Sequence, residues 1–521
     1  MSEKEKRNIA GIDLGTTFSA LAILNSIGKP EIVANAEGER LTPSAIFFDE
    51  EDSSLARIGI EALNSRHINP ERSVRWIKRH MGDTDYVKNI DGKDWTPLEL
   101  SSLILKKLAA ECAASQGKIT DVVISVPAHF DEIRRKATMD AGKLAGLNVV
   151  GIVNEPVAAA LYYATTIAVS GKILVYDLGG GTFDVTVMDT NNGQIDIISS
   201  QGEHELGGVD FDRKILEIME KSYRDKFNSE LISSDEDRAK YEDQAEDIKK
   251  TLSRRQSARV MLYGLAGSMK LEISRDAFEE SIDSLVGRTD MLIETALSEA
   301  SLKAGDIDKV ILVGGSSRIP LVQQRLEAIF GYEPESIVNV DECVALGAAL
   351  HAGLTIQREN PENLDAGIAN SLKDIKLTDV CNHSYGTICA PIDEETGRHV
   401  VKNHIILKKN TPLPCEVTQT FYTITEGQRT LEINVTQGEG ESPEYVNKIS
   451  TQTLQLPPDR PAKCPIKVTY SYDLNQRMHC KFEDVESKEV VNVELSLDQD
   501  GKPDENGNGE NANELVEMNV E

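Results

Sequence analysis

An α/β fold extending to about residue 370, followed by a compact all-β module, is predicted by three observations. Apolar strand-like runs (DVVISVP, KILVYDLG, KVILVGG) alternate with helical stretches over the first part. Nearly the same phrase is written twice, IDLGTTF from Ile12 and YDLGGGTF from Tyr176. Beyond residue 385 the texture changes to period-two runs separated by Pro and Gly clusters.

Each copy of the repeated phrase follows an apolar run and is followed by another, so each predicts a β-hairpin with a glycine turn. Helix punctuation is clear at Pro97, a proline in a first-turn position ahead of Leu100, Leu103, Ile104 and Leu108 on one face. The charged stretch Asp237 to Leu252 fits a solvated helix face. In the later part, strands are expected at 418–425, 431–436, 466–472 and 490–495. Residues 498–521 carry eight acidic residues against one lysine among Asn and Gly, a composition that predicts disorder.

The 521 residues suffice for two or more cores. A net charge of −30 disfavours nucleic acid and anionic membranes as partners. No run approaches the length of a membrane span, and the opening residues lack an apolar signal core. Seven cysteines without a CxxC pair argue for reduced thiols and a cytoplasmic location.

The glycine turns carry the chemistry. Successive backbone N–H groups at a tight tip can form a nest for phosphate oxygens, and the hydroxyls of Thr16, Thr17 and Thr182 add donors. Asp13 and Asp177, one at the end of each strand, suit a hydrated Mg2+. A third turn, VGGSSRIP at 313–320, stands between a strand and a helix, another favourable place for a nucleotide. Neither GxGxxG nor GxxxxGK[ST] occurs, so dinucleotide-fold and P-loop readings lack their fingerprints.

In family order, GIDLGTTFSA, VISVPAHF, VNEPVAAAL, DLGGGTFDVTV, LGGVDFD, KKTLS, VGGSSRIP and NVDECVALGAA make the chain resemble the seventy-kilodalton heat-shock chaperones (DnaK-like). ILKKNTPLPCEVTQTFYT resembles the start of that family's peptide-binding domain. The resemblance implies a duplicated, two-lobed actin-like ATPase domain over 1–370, a linker over 371–384 and a sandwich-like β-rich substrate-binding domain over 385–497. The acidic tail occupies 498–521, with no helical lid.

The same resemblance implies ATP hydrolysis to ADP and phosphate, with Mg2+ and K+ as candidate cations. Lys78, Glu155, Asp184 and Thr182 would be catalytic. The nucleotide would be held by Gly15, Thr16, Thr17, Phe18, Gly179, Gly180 and Gly181, then Glu246, Lys249, Lys250 and Ser253, and finally Gly314, Gly315, Ser316, Arg318 and Asp341. Asp13 and Asp177 would hold the metal shell. Phe421, Ile424, Leu431 and Ile433 would line a peptide groove, and Pro127, Arg135 and Asp379 would relay nucleotide state between domains.

Implied partners are unfolded or extended polypeptides, a J-domain co-chaperone and a nucleotide exchange factor, acting on a monomer. Three departures qualify this. The linker reads IKLTDV where relatives run leucines, Gly151 replaces an arginine used toward J-domain partners, and the lid is missing. They favour, as the alternative, a regulatory or dedicated-client relative with ATPase activity but little general peptide capture.

Overall fold

The computed structural model describes residues 8–52, 54–166, 170–191, 193–336, 339–393, 395–474, 476, 478–494 and 518–521. Two units emerge. One comprises 1–129, 137–377 and 505–521, the other 130–136 and 378–504.

The first unit contains two six-stranded sheets built on one plan. In one, Asn8–Asp13 pairs antiparallel with Phe18–Leu24 and parallel with Ile119–Val126. In the other, Gly171–Leu178 pairs antiparallel with Phe183–Asn191 and parallel with Lys309–Val313. Both repeated phrases are therefore hairpins, each with a parallel strand on its other side. These strands are buried along nearly their whole length, which is why they read as continuous apolar runs rather than alternating ones.

Two helices rich in small residues pack against each other. Cys343–Glu359 lies on the first sheet, and Glu155–Thr166 contacts strands of the second. Gly347 permits the approach, because a Cβ there would collide with the Ala158 carbonyl. Gly11 does the same for strand and helix, where a Cβ would strike the backbone of Ala348 and Ala349. The hairpin tips are thereby held to narrow tolerances.

The helix Pro97–Ser115 begins at the proline, and Leu100, Leu103, Ile104 and Leu108 are buried. A capping box that proline alone did not reveal adds a start signal: the Thr96 hydroxyl accepts from Glu99 N–H, and the Thr96 N–H donates to the Glu99 carboxylate. The charged stretch is a helix, Asp235–Leu252, with a Ser234 cap.

The second unit has two four-stranded antiparallel sheets. One orders Lys402–Leu407, Tyr385–Cys389, Thr430–Gln437 and Asn447–Gln455. The other orders Cys415–Tyr422, Pro465–Tyr472, Met478–Asp484 and Val490–Glu494. Their inward residues form one core around Tyr385, Ile433, Val435, Tyr470, Tyr472 and Phe482. Alternation is clean in Pro465–Tyr472, where Ile466, Val468, Tyr470 and Tyr472 are buried.

Boundaries differ from the sequence reading. The linker residues Lys376–Thr378 form a strand beside Gln194–Glu203, with Lys376 N–H bonded to Gly193 O at 2.9 Å. Lys376 is exposed, so its ammonium keeps its water and no cost of burying the charge arises. Val380 and Cys381 are already buried, ahead of the expected start at 385. Disorder of the tail is corrected at one point, because Asn519–Val520 form a strand. An edge strand needs a partner more than propensity, and Leu55–Ile58 supplies it. The rest of the tail, 498–517, lies outside the described residues.

Candidate functional site

The two hairpin tips and the third glycine turn converge on a cleft of about 430 Å³ in the first unit. Its wall includes Asp13, Gly15, Thr16, Thr17, Phe18, Lys78, Glu155, Asp177, Gly179, Gly180, Thr182, Glu246, Lys249, Lys250, Ser253, Gly314, Gly315, Ser316, Arg318 and Asp341. Thus most residues singled out from sequence lie around one space. Asp184 and Gly181 are not part of that wall, but Asp184 feels the charge of Glu155 and Gly181 abuts Thr16.

The tips interlock. A Cβ on Gly180 would collide with Thr17 Oγ1, and one on Gly181 with Thr16 Oγ1. Only glycine allows the two turns to face each other this closely. Ser316 Oγ donates to Gly179 O at 2.9 Å, tying the third turn to the second. Gly314 has φ +76°, and a side chain there would strike Leu178 O and the Asp177 carboxylate.

Charge at the cleft floor is unbalanced. Asp177, Asp184, Glu155 and Lys78 are buried, and Asp13 opens onto the cleft. Lys78 is ion-paired with Glu155. Ser125 Oγ donates to Asp13 at 2.8 Å, and His129 N–H donates to Asp184 at 3.3 Å. Four carboxylates face one ammonium. Burial, then repulsion from Glu155, pushes Asp184 up to about 8 and Asp13 up to about 7. Asp177 moves the same way for the same reasons. Such a floor fits a cation. Among the described residues no three His, Cys, Asp or Glu side chains gather tightly enough to wrap a bare ion. That donor set suits Mg2+, which keeps several waters and takes few protein ligands.

The helix Asp235–Leu252 lines one wall. Lys249 Nζ bonds Gly208 O at 2.9 Å and Asp212 at 2.7 Å. Glu246 pairs with Lys250 and Arg75, each at 2.8 Å. Burial opposes its charge, but Lys250, Arg75 and Lys249 together bring Glu246 down to about 2. Opposite, Arg318 pairs with Asp341 at 2.7 Å. Lys250 is exposed, with its ammonium 5.8 Å from the Phe18 ring centre.

Sequence reasoning missed the segment Arg66–Arg79. Arg75 bonds Asp243 at 2.5 Å, Arg66 bonds Asp243 at 2.7 Å and also Glu242, and Arg79 holds Asp210 and Gly181 O. These bonds link that segment to both the wall helix and the second glycine turn. Trp76 lines the cleft in a left-handed conformation (φ +59°), rare for a bulky residue, with the Arg75 guanidinium 4.8 Å from its ring centre. No local pattern announces the arginine bonds, since their partners lie more than 100 positions away.

The remaining candidates lie elsewhere. Pro127 is buried between Ile119–Val126 and the next helix. In the second unit, Arg135 bonds Gln476, which also bonds Asp379. Glu132, unsuspected from sequence, accepts from Tyr385 at 2.6 Å and Tyr472 at 2.9 Å. Of the groove candidates, Phe421 and Leu431 are half-buried against the core and Ile424 is exposed. Ile433 is 1% exposed, a core residue.

Together these features define a class: a two-sheet α/β protein with an anionic cleft between paired glycine turns, joined to a β-rich unit. Residues 9–90 and 83–518 match the family model described as Hsp70 protein. The chain is 37% identical over 497 residues to the chaperone protein DnaK of Thermotoga neapolitana, covering 94% of this chain and 80% of that one. The chain belongs to the Hsp70 family.

Proposed function

We propose that the chain is an ATP-hydrolysing molecular chaperone whose first unit is a two-lobed, actin-like ATPase. Its β-rich, sandwich-like unit binds extended apolar peptide segments. The observation that carries the reading is the pair of interlocked glycine turns facing Lys78 across a carboxylate-rich floor.

Backbone N–H groups of the two tips, with Thr16, Thr17 and Thr182, would cradle phosphates. Glu246, Lys249, Lys250 and Ser253, facing Gly314–Ser316, Arg318 and Asp341, would hold the nucleoside. Asp13 and Asp177 would hold Mg2+ through its waters, and the bound ion would neutralise phosphate charge. Lys78, oriented by Glu155, would place its ammonium toward the transferred phosphoryl group. Asp184 and Glu155 would orient the attacking water, since phosphoryl transfer depends chiefly on positioning and electrostatics.

Pro127, Arg135 and Asp379 would couple nucleotide state to peptide affinity. Unfolded polypeptides, a J-domain protein and an exchange factor in the cytoplasm are the partners this reading assigns. Among the described residues no helix is long and apolar enough to cross a membrane.

Single-turnover ATP hydrolysis, with and without saturating unfolded peptide, tests the proposal against Lys78→Ala as blank. Turnover above the blank that peptide accelerates is the expected result. Turnover indifferent to peptide would favour a dedicated-client role, and none above the blank would refute the catalytic assignments.

A further inference from the structure

A sheet edge presents unpaired N–H and C=O groups and accepts extended segments readily. In the first unit, the sheet Ser73–Arg75, Ala45–Phe48, Leu55–Ile58 has such an edge at its last strand, and it is occupied. Asn519–Val520 runs parallel to it, Asn519 opposite Leu55 and Val520 opposite Ala56. Asn519 N–H donates to Ser54 O at 2.8 Å, Glu521 N–H to Ala56 O at 3.0 Å, and Ile58 N–H to Glu521 O at 2.6 Å. From the helix Pro97–Ser115, Lys106 Nζ donates to the Met518 carbonyl at 2.6 Å.

The side chains alternate as pairing requires. Met518 is buried and Val520 half-buried, while Asn519 and Glu521 are exposed. The chain that left this unit at Leu377 thus returns to it at Met518. Composition before it gives little support to a strand, since the sequence from Asp498 is acidic and rich in Asn and Gly. Pairing and the buried methionine make the strand.

We propose that Leu55–Ile58 is a β-augmentation site, separate from the cleft, whose resident ligand is the chain's own Met518–Glu521. It takes an extended segment with apolar residues two apart, as Met518 and Val520 are. Occupied, it closes an edge that would otherwise pair with other chains. Released, it exposes a second peptide-recognition surface on the unit that carries the cleft.

The test uses full-length protein, comparing wild type with Asn519→Pro and Asn519→Ala. Both remove an exposed side chain, but only proline removes the N–H that bonds Ser54 O. Amide exchange at Ile58 should quicken roughly tenfold in Asn519→Pro, the equivalent of about one net hydrogen bond, and stay unchanged in Asn519→Ala. A labelled peptide of residues 513–521 should then bind Asn519→Pro, restore Ile58 protection there, and fail to bind wild type at this edge. Equal Ile58 exchange in all three proteins would overturn the proposal. So would peptide that protects Ile58 in none of them, or that binds this edge equally well in wild type.

Discussion

Two buried acidic sites, one in each unit, behave in opposite ways. In the β-rich unit, Asp484 takes both arms of Arg460 at 2.8 and 3.0 Å, and both side chains are almost fully buried. Burial opposes the charge, yet Arg460 and Ser487 hold the Asp484 carboxyl below its ordinary range. In the cleft, Asp184 and Asp13 are pushed up by burial and by their acidic neighbours. One site is closed on itself and serves the fold. The other carries several carboxylates against one ammonium, the arrangement expected where binding energy is spent on function rather than stability.

The largest effect should come from breaking the closed site. Asp484→Ala leaves the Arg460 guanidinium buried without its carboxylate, and should destabilise the β-rich unit by about 3–5 kcal/mol in urea unfolding. An unchanged midpoint would show that Arg460 finds another partner.

Lys78→Ala comes next. Losing the one ammonium at the cleft floor should slow single-turnover hydrolysis by about 10²–10³-fold, in line with removing one preorganised electrostatic group. A fall of less than about threefold would assign the role elsewhere.

A third buried group sharpens the contrast by having no counter-charge. His351, on the helix Cys343–Glu359, has an imidazole Nδ1 without a hydrogen-bond partner among the described residues. Burial, helped by the charge of Arg358, pushes it down to about 3 from an ordinary 6.5. The unfolded chain therefore takes up the proton first. The stability that the neutral ring preserves is complete above about pH 6.5 and is lost as pH falls toward 3. Between pH 7 and 5, wild type should lose about 2 kcal/mol more than His351→Leu, at roughly 1.4 kcal/mol per unit. Parallel losses in both proteins would rule His351 out as the source.

The smallest effect concerns the cleft wall. Lys250 is exposed and cannot stack as a planar guanidinium can. Lys250→Arg should tighten ADP binding a few-fold, worth about 0.5–1 kcal/mol by calorimetry. Weaker binding would mean that the Lys250–Glu246 pair matters more than a stacking surface.

How much of this was legible follows from the range of each interaction. The glycine turns are local devices, so the repeated phrase with Asp13 and Asp177 could be read directly. The strands expected at 466–472 and 490–495 were equally legible from alternation, and are observed at Pro465–Tyr472 and Val490–Glu494. Lys78 and Glu155 came only through resemblance, since a lysine in IKRHMG has no local mark of burial. Trp76, Arg75 and Arg66 act through partners far along the chain, and no periodicity encodes those. Arg135 likewise came only through resemblance, and nothing local marks Glu132, since their partners Gln476, Tyr385 and Tyr472 lie more than 250 positions away. The strand at Asn519 was illegible because its stability resides in the edge it joins.

If the cleft serves Mg2+·ATP, its raised carboxylates are held at a cost that the bound cation relieves. Asp177→Asn separates cost from use most directly. Its melting temperature without nucleotide should rise by about 1 °C, the size expected for relieving about 1 kcal/mol in a unit this large, while Mg2+·ATP no longer raises it as in wild type. A melting temperature that falls, with Mg2+·ATP still stabilising the variant, would show that Asp177 serves the fold and not the cation.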